Sequence, residues 1–162
     1  MNVINLSGEI GWDIIPADVK KELFAFNGQD VETHIASPGG FVFDGIELFN
    51  AYRDYKRQFP NAQMMLTIKG LAASMASYFA MNPAFDLVAA EDNAVFMIHN
   101  AWMGVIGDYQ DLEKATEILY GLDNMLNSAY SRKTGKSKEE IKKLMDTESW
   151  YFGSEIKDAG LS

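Results

Sequence analysis

Segments typical of strands alternate with segments typical of helices along most of this chain. Apolar and polar residues alternate over residues 31–36, as in a half-buried strand. Over residues 111–133 apolar residues recur every three or four positions, as along one face of a helix. A strand that is followed by a helix and a second strand forms a right-handed crossover, which makes the two strands parallel. The sequence therefore predicts an α/β fold with a mostly parallel sheet.

Turn residues and changes of period give the expected bounds of the elements. Strands are predicted at 3–6, 31–36, 64–69, 85–89 and 95–98. Helices are predicted at 13–26, after Gly40, at 72–81, at 111–133 and from Ser137 through 144, with a final turn capped by Ser154. No repeat, linker or charge block divides the 162 residues, so we expect one domain over residues 1–162.

Composition excludes several classes of site and partner. The chain has no cysteine and only two histidines, so thiol chemistry, disulfides and the common zinc sites are excluded, and no metal or cofactor is expected. A net charge of −9 opposes binding to phosphate backbones, so we expect no nucleic-acid partner. The chain has no apolar run of about 18 residues and no signal-peptide pattern at its start. We expect a soluble, cytoplasmic protein that does not act at membranes.

Three predicted strands end in residues that could form a functional site. Two glycines follow the second strand in the segment Ser37-Pro38-Gly39-Gly40, where their N–H groups are open to a ligand. Ser74 lies near the start of the helix at 72–81, at the positive end of its dipole, and His99 ends the last strand. Each feature alone is common in a structural role, as a turn, a helix cap or a packed histidine. Their combination at one sheet edge indicates a ligand site.

A serine hydroxyl is an effective nucleophile only when a base removes its proton. His99 is the one well-placed neutral base for Ser74, and it needs an acceptor on its other ring nitrogen. Residues near the C-terminus supply Asp146, Glu148 and Glu155, and residue chemistry alone does not separate Asp146 from Glu148.

The remaining serine and histidine candidates are interpreted as structural. Ser77 lies deeper in the helix at 72–81, where its hydroxyl is expected to bond a backbone carbonyl. His34 lies in mid-strand on the polar face beside Glu32, which favours a structural or solvated role.

Three ordered segments resemble the proteolytic subunit of the Clp protease. They are SPGG at 37–40, GLAASMAS at 70–77 and MIHNAW at 97–102, where the family's usual forms are NSPGG, GxAASM and MIHQP. The resemblance covers the chain from about Val3 to Leu161. Within this group the chain resembles more closely the Clp-like proteases that phages and prophages encode for head maturation. Those proteases carry a Glu-Thr-Trp-like segment where this chain has Glu148-Ser149-Trp150.

The resemblance implies the fold and the roles of the site residues. The fold it implies is the α/β Clp/crotonase-like fold, with repeated β-β-α and β-α-β units and a protruding handle of strand and long helix at about 102–133. The implied roles are Ser74 as nucleophile, His99 as general base, and the N–H groups of Gly40 and Met75 as the oxyanion hole. Alignment on the terminal Gly-Leu of the family makes Glu148 the orienting acid. The Clp subunit normally has aspartate there, so Asp146 is the fallback.

The resemblance also implies a serine endopeptidase that cleaves protein or peptide substrates through an acyl-enzyme. Relatives assemble through the handle, so a homo-oligomeric ring, including stacked rings, is expected, in a bacterial cell or a phage-infected host. Capsid or scaffold processing is the expected role. The chain begins almost directly at its first strand, without the segment that helps the Clp subunit dock its ATPase, so the sequence does not support a Clp-type ATPase partner.

Three other functions are compatible with the residues. A crotonase-like acyl-CoA enzyme would use the same architecture and an oxyanion hole without the serine–histidine pair. A serine–lysine peptidase would use Lys69, the lysine nearest to Ser74 in sequence. A catalytically inactive assembly subunit would keep the fold and use the apolar residues of the long helix for subunit contacts.

Overall fold

The fold is built on one six-stranded sheet. The structure is a computed structural model, and it describes all residues from 1 to 162. The strands are β1 (Asn2–Ser7), β2 (Val31–Ser37), β3 (Met64–Ala73), β4 (Leu87–Ala90), β5 (Val95–Ile98) and β6 (Ser149–Phe152). The helices are α1 (Pro16–Ala25), α2 (Val42–Gln58), α3 (Met75–Ala80), α4 (Tyr109–Thr134), α5 (Lys138–Asp146) and α6 (Ser154–Asp158). The strand order is β1-β2-β3-β5-β6, with β4 also paired to β3, and every pairing is parallel except that of β5 with β6. The predicted α/β fold with a mostly parallel sheet is confirmed.

Alternation of side chains along the strands gives the sheet one apolar face. Residues of β1, β2 and β3 that point to this face are buried, whereas the residues between them are partly exposed. Helix α2 covers the apolar face, where Tyr52 hydrogen-bonds Thr33 of β2 at 3.0 Å and its ring packs edge-on against Phe79 of α3. One contiguous core runs from Ile4 in β1 to Leu161 beyond α6.

The strand that leads to Ser74 is longer than the sequence predicts. The predicted strand end at Lys69, turn at Gly70 and helix from Ala72 are wrong, because β3 continues through these residues to Ala73. Residues 71–73 pair with β5, after residues 65–68 have paired with β4, so two short strands occupy successive parts of one edge of β3. Helix α3 is correspondingly short and begins after Ser74.

The C-terminal third combines confirmed and corrected predictions. Ser137 and Glu140 form the predicted capping box of α5, and Gly135 ends α4 in the left-handed conformation. Ser154 does not cap the last helix, since Gly153 is its N-cap residue and no side chain bonds the helix end.

The handle predicted at about 102–133 is a helix without a strand in this single chain. Residues 101–106 have no regular secondary structure, and α4 follows from Tyr109. Asp108 caps α4 and forms a capping box with Asp111. None of the six helices combines the length and the apolar composition that a membrane span requires.

Candidate active site

Ser74 occupies a sharp turn between β3 and α3. Its backbone has φ 56° and ψ −124°, a conformation that costs a non-glycine residue on the order of 1–3 kcal/mol. The turn is held by the hydrogen bond from the Ser74 N–H to the carbonyl of Met97 in β5 (3.1 Å) and by that from the Tyr78 N–H to the Ser74 carbonyl (3.0 Å). A strained strand-to-helix turn of this kind presents a side chain at the end of a sheet, as in nucleophile elbows. The sequence differs from the G-x-S-x-G form of that elbow, because Ala72 and Ala76 occupy the two glycine positions.

His99 lies next to Ser74 because β5 pairs with the last residues of β3. Its Nε2 is 2.8 Å from Ser74 Oγ, within hydrogen-bond distance, although 25 residues separate the two along the chain. With the proton of the neutral ring on Nδ1, Nε2 accepts the hydroxyl proton of Ser74. The structure therefore brings the predicted nucleophile and the predicted base into direct contact.

Glu148 is the carboxylate closest to the other side of the His99 ring. Its Oε1 is 3.7 Å from Nδ1, which is within ion-pair range but longer than a hydrogen bond, and its side chain is 56% exposed. Glu148 immediately precedes β6, and the antiparallel pairing of Ser149 with Ile98 places it beside His99. Its φ of 52° shows that the chain turns sharply at this point.

The other two acidic candidates have different partners. Asp146 accepts hydrogen bonds from Asn100 Nδ2 at 2.9 Å and from Lys142 Nζ at 2.6 Å, and these bonds lower the pKa of its carboxyl. Glu155 accepts a hydrogen bond from the N–H of Phe152 at 2.9 Å. Neither carboxylate lies within 4.0 Å of a ring nitrogen of His99.

Sequence reasoning missed a fourth carboxylate near the site. Asp123, on α4, accepts a hydrogen bond from the N–H of Ala101 at 2.7 Å, and burial raises the pKa of its carboxyl. The hydrogen bond between Ala101 and Asp123 holds the first residue of the segment 101–106 against α4. No local pattern around Asp123 singles it out, because its partner is 22 residues away and is a backbone group.

The segment Ser37-Pro38-Gly39-Gly40 packs directly against the Ser74 turn. A Cβ added to Gly39, whose φ is +102°, would lie 2.7 Å from Ser74 Cβ and 3.0 Å from the N atom of Met75. A Cβ on Gly40 would collide with the carbonyl oxygen of Ile10. Only glycine fits this approach of two backbones at both positions.

The N–H groups of Gly40 and Met75 are free to bind an oxygen atom. Gly40 donates no hydrogen bond within the chain, and Met75 opens α3, so its N–H has no partner within the helix. Both residues line one cavity of about 590 Å³ together with Ser74 and His99. Its lining is completed by Glu9, Pro38, Gly39, Phe41, Val42, Met97, Ala101, Trp102, Met103 and Leu126.

The backbone-carbonyl bond predicted for Ser77 is present, and His34 lies beside Glu32 as predicted. Ser77 Oγ donates to the Ser74 carbonyl at 2.7 Å, and His34 Nε2 is 2.9 Å from the carboxylate of Glu32 on the sheet. Lys69 Nζ lies 2.6 Å from Glu91 Oε1 at an exposed position, and Lys69 is absent from the cavity lining. No group of three or more histidine, aspartate or glutamate side chains is arranged to hold a metal ion.

Comparison of the sequence with models of known protein families gives a match over nearly the whole chain. A family model described as Clp protease matches residues 2–162, which is nearly the whole chain and includes all three segments that meet at the cavity.

Proposed function

Because the chain belongs to the Clp protease family, we propose that it is a serine endopeptidase that hydrolyses peptide bonds through an acyl-enzyme. The observation that carries the proposal is the 2.8 Å contact between Ser74 Oγ and His99 Nε2 at the rim of a cavity with two free N–H groups. This arrangement contains a nucleophile, a base and oxyanion donors, the three groups that acyl transfer requires.

Acylation begins when Ser74 Oγ attacks the carbonyl carbon of the scissile bond. The Ser74 proton passes to His99 Nε2, and the negative charge on the former carbonyl oxygen is stabilised by the N–H groups of Gly40 and Met75. Glu148 stabilises the imidazolium form of His99 electrostatically from the Nδ1 side, at a separation of 3.7 Å. The proton on Nε2 then goes to the leaving amine, which departs and leaves an ester on Ser74.

Deacylation repeats these steps with water. His99 Nε2 accepts a proton from water as the water oxygen attacks the ester, and the same two N–H groups hold the second oxyanion. His99 returns the proton to Ser74 Oγ, which releases the carboxylic acid product and restores the resting site.

The substrate in this proposal is an extended segment of protein or peptide. Gly40 and the irregular residues 101–103 border the cavity and have backbone groups without strand partners, so an extended peptide can bond to them as an added strand. Met97, Met103 and Leu126 in the lining favour an apolar side chain next to the scissile bond.

The proposal extends to assembly and biological role through the family and the sequence resemblance. Clp-type proteases form rings of identical subunits, and the exposed apolar residues of the handle support a homo-oligomeric ring here, including stacked rings. The resemblance of the Glu148-Ser149-Trp150 segment to phage and prophage proteases supports capsid or scaffold processing in the bacterial cytoplasm or a phage-infected cell.

The two histidines provide a matched test of the proposal. Hydrolysis of an unfolded protein should fall by about 10²–10⁴ in His99→Ala, since a positioned general base contributes that much to the rate. It should be lost in Ser74→Ala, whereas His34→Ala should keep the wild-type rate because His34 pairs with Glu32 on the sheet and is absent from the cavity lining. Activity that survives His99→Ala would favour the serine–lysine alternative. Thioester turnover that survives Ser74→Ala would favour a crotonase-like enzyme, and either result would overturn the proposal.

A further inference from the structure

A pair of buried hydroxyl groups links the long helix α4 to the Ser74 turn. Ser77 Oγ is 2.7 Å from the Ser74 carbonyl oxygen and 2.6 Å from the hydroxyl oxygen of Tyr130 on α4. Ser77 is fully buried and Tyr130 is 1% exposed, so water does not compete for these bonds. The contact spans 53 residues of sequence and joins two elements that the proposed mechanism does not otherwise connect.

The direction of both hydrogen bonds follows from the number of protons. A carbonyl oxygen can only accept, so the single Ser77 proton is donated to Ser74. Ser77 Oγ can then only accept from Tyr130, whose hydroxyl is the donor of the second bond. Burial raises the pKa of the Tyr130 hydroxyl, so it keeps its proton at physiological pH. The chain of donation therefore runs from Tyr130 through Ser77 to the Ser74 carbonyl.

The Ser74 carbonyl belongs to the same rigid unit as a proposed oxyanion donor. The carbonyl of Ser74 and the N–H of Met75 are the two polar groups of one peptide bond, which is planar and trans. Any rotation that displaces the carbonyl therefore turns the Met75 N–H by the same angle. The hydrogen bonds from Ser77 Oγ and from the Tyr78 N–H fix the carbonyl, and with it the direction of the Met75 N–H into the cavity.

This peptide unit needs external support because the backbone before it is strained. Ser74 has φ 56° and ψ −124°, and relaxation of ψ toward a common value rotates the Ser74–Met75 peptide plane. Such a rotation turns the Met75 N–H away from the oxyanion, which in the proposed mechanism it binds together with the N–H of Gly40. A hydrogen bond donated to the carbonyl from the interior opposes this relaxation.

We propose that Ser77 and Tyr130 are positioning residues that hold the oxyanion donor Met75 through the Ser74–Met75 peptide plane. This inference rests on the proposed peptidase function and assigns to it two residues that do not touch the substrate. Their effect falls on the transition state, since the oxyanion charge develops only there.

Single removals of the two hydroxyls test the inference. Tyr130→Phe removes one oxygen and keeps the ring, and Ser77→Ala removes the direct donor to the carbonyl. We expect kcat for a peptide substrate to fall about tenfold to a hundredfold in Ser77→Ala, with KM unchanged, because removal of a whole oxyanion donor costs about 10²–10³. A smaller fall is expected in Tyr130→Phe, which leaves the Ser77 donor in place. Affinity for a peptide boronate, a mimic of the tetrahedral intermediate, should weaken by the same factor as kcat in each variant.

Tyr52→Phe is the matched control. Tyr52 is a fully buried tyrosine on α2 whose hydroxyl pairs with the buried hydroxyl of Thr33 at 3.0 Å, and it is absent from the cavity lining. Tyr52→Phe deletes the same atom from a similar buried hydroxyl pair and should leave kcat and boronate affinity unchanged. In the double variant Ser77→Ala/Tyr130→Phe, kcat should equal that of Ser77→Ala, because Tyr130 acts only through Ser77.

The outcomes separate this inference from the proposed function. If wild-type protein hydrolyses peptides with Ser74 while Ser77→Ala and Tyr130→Phe keep wild-type kcat, or lose activity only through KM, the inference is wrong and the peptidase function stands. If wild-type protein shows no Ser74-dependent hydrolysis, both are overturned. If Ser77→Ala does not fold, as judged by thermal unfolding, the comparison of Tyr130→Phe with Tyr52→Phe decides: equal kcat in these two variants overturns the inference.

Discussion

At the scale of single residues, the site depends on the close approach of Gly39 to Ser74. Ser74 keeps an unfavourable backbone conformation because its N–H is bonded to Met97 and its carbonyl to Tyr78. Gly39 packs on the outside of the turn, where a Cβ would overlap the Cβ of Ser74. The proposed nucleophile is therefore held in place by contacts within the chain, which is the pre-organisation that acyl transfer requires.

Gly39→Ala should move Ser74 out of register with His99. The added Cβ would lie 2.7 Å from Ser74 Cβ, at a φ of +102° that alanine rarely adopts, so the turn must shift. A misplacement of about 1 Å can lower the rate about 10²-fold, and we expect a loss of that size in peptide hydrolysis.

Gly70→Ala is the control for this substitution. Gly70 lies in β3, and the nearest atom to its added Cβ is 3.9 Å away, so this change should leave the rate near wild type. Equal rates in the two variants would contradict the proposed contact between Gly39 and the nucleophile.

The two acidic candidates should differ in their effect on turnover. Glu148→Gln removes the charge nearest to His99 Nδ1, and we expect kcat to fall at least about tenfold, since the orienting acid stabilises the imidazolium. Asp146→Asn removes a charge that is bonded to Lys142 and Asn100 and should reduce kcat much less. Steady-state kinetics on both variants check the assignment. A larger loss in Asp146→Asn would transfer the role to Asp146.

The residues of the site differ in how far the sequence determines them. The proximity of Ser74 and His99 could be predicted because Ser74 lies near the start of the helix that follows one predicted strand and His99 ends another. The carboxyl ends of parallel strands meet at one edge of a sheet. Residue chemistry could not separate Glu148 from Asp146, because the answer depends on β6, a four-residue strand with little local signal. Ser149 pairs with Ile98, and this register sets Glu148 beside His99. The bond of Asp123 to Ala101 and the bond between Ser77 and Tyr130 join segments that are 22 and 53 residues apart. Local sequence patterns do not predict such contacts.

At the scale of elements, the main departure from the sequence prediction is the boundary between β3 and α3. The small residues at 70–73 have no strong strand preference, and alanine favours a helix. In the fold, however, Leu71, Ala72 and Ala73 bond to β5, and this pairing outweighs the local preference. The shift carries Ser74 from within a helix to the turn between two elements. Tertiary pairing, which the sequence does not show, therefore creates the strained geometry of the site.

Asp86, which immediately precedes β4, links α2 to β3 and should make stability depend on pH. Its carboxylate accepts hydrogen bonds from Lys56 Nζ of α2 and from the Met64 N–H of β3, both at 2.8 Å. Burial raises the pKa of this carboxyl, but the bonds to Lys56 and Met64 outweigh burial and lower it below the usual 3.8. A lowered pKa means that the carboxylate contributes stability above pH 3.8, and this contribution is lost as pH falls through the folded-state pKa.

Asp86→Asn should therefore unfold at a lower urea concentration than wild type at pH 7. The difference should shrink as both proteins are measured at pH values falling below 3.8, because wild-type Asp86 is then protonated as well. Asp54→Asn removes an exposed carboxylate that pairs with Arg57 within α2 and serves as the control, with little change expected. A constant difference between Asp86→Asn and wild type at all pH values would contradict the assigned pKa shift.

At the scale of the whole molecule, exposed apolar residues cluster on the handle. Trp102 is 78% exposed and Ile106 is fully exposed, and Tyr109, Leu112 and Ile118 of α4 are also exposed. Large apolar side chains that are exposed close together along the chain are typical of a surface that contacts another protein. The residues at 101–106 also have backbone groups without strand partners, so the same segment offers both apolar side chains and unpaired backbone to another copy of the chain.

Ile106→Glu should weaken assembly of the protein. A charge at the centre of an apolar contact loses hydration when the contact forms, so the assembled species should decrease and the monomer increase in sedimentation velocity. Asn61→Glu adds the same charge at an exposed position between α2 and β3, outside the handle, and should leave assembly unchanged. Assembly of Ile106→Glu equal to that of wild type would exclude the handle as the contact surface, as would a monomeric wild type at all concentrations.

The most direct measurement of the central claim is the site of covalent reaction with a fluorophosphonate, which reports an activated serine. We expect peptide mass spectrometry to find one adduct, on Ser74, in wild-type protein and none in Ser74→Ala. In His99→Ala the rate of adduct formation should fall by about 10²–10⁴, while His34→Ala should react as wild type does. Absence of an adduct on Ser74 in every assembly state, or an unchanged rate in His99→Ala, would contradict a site in which His99 activates Ser74.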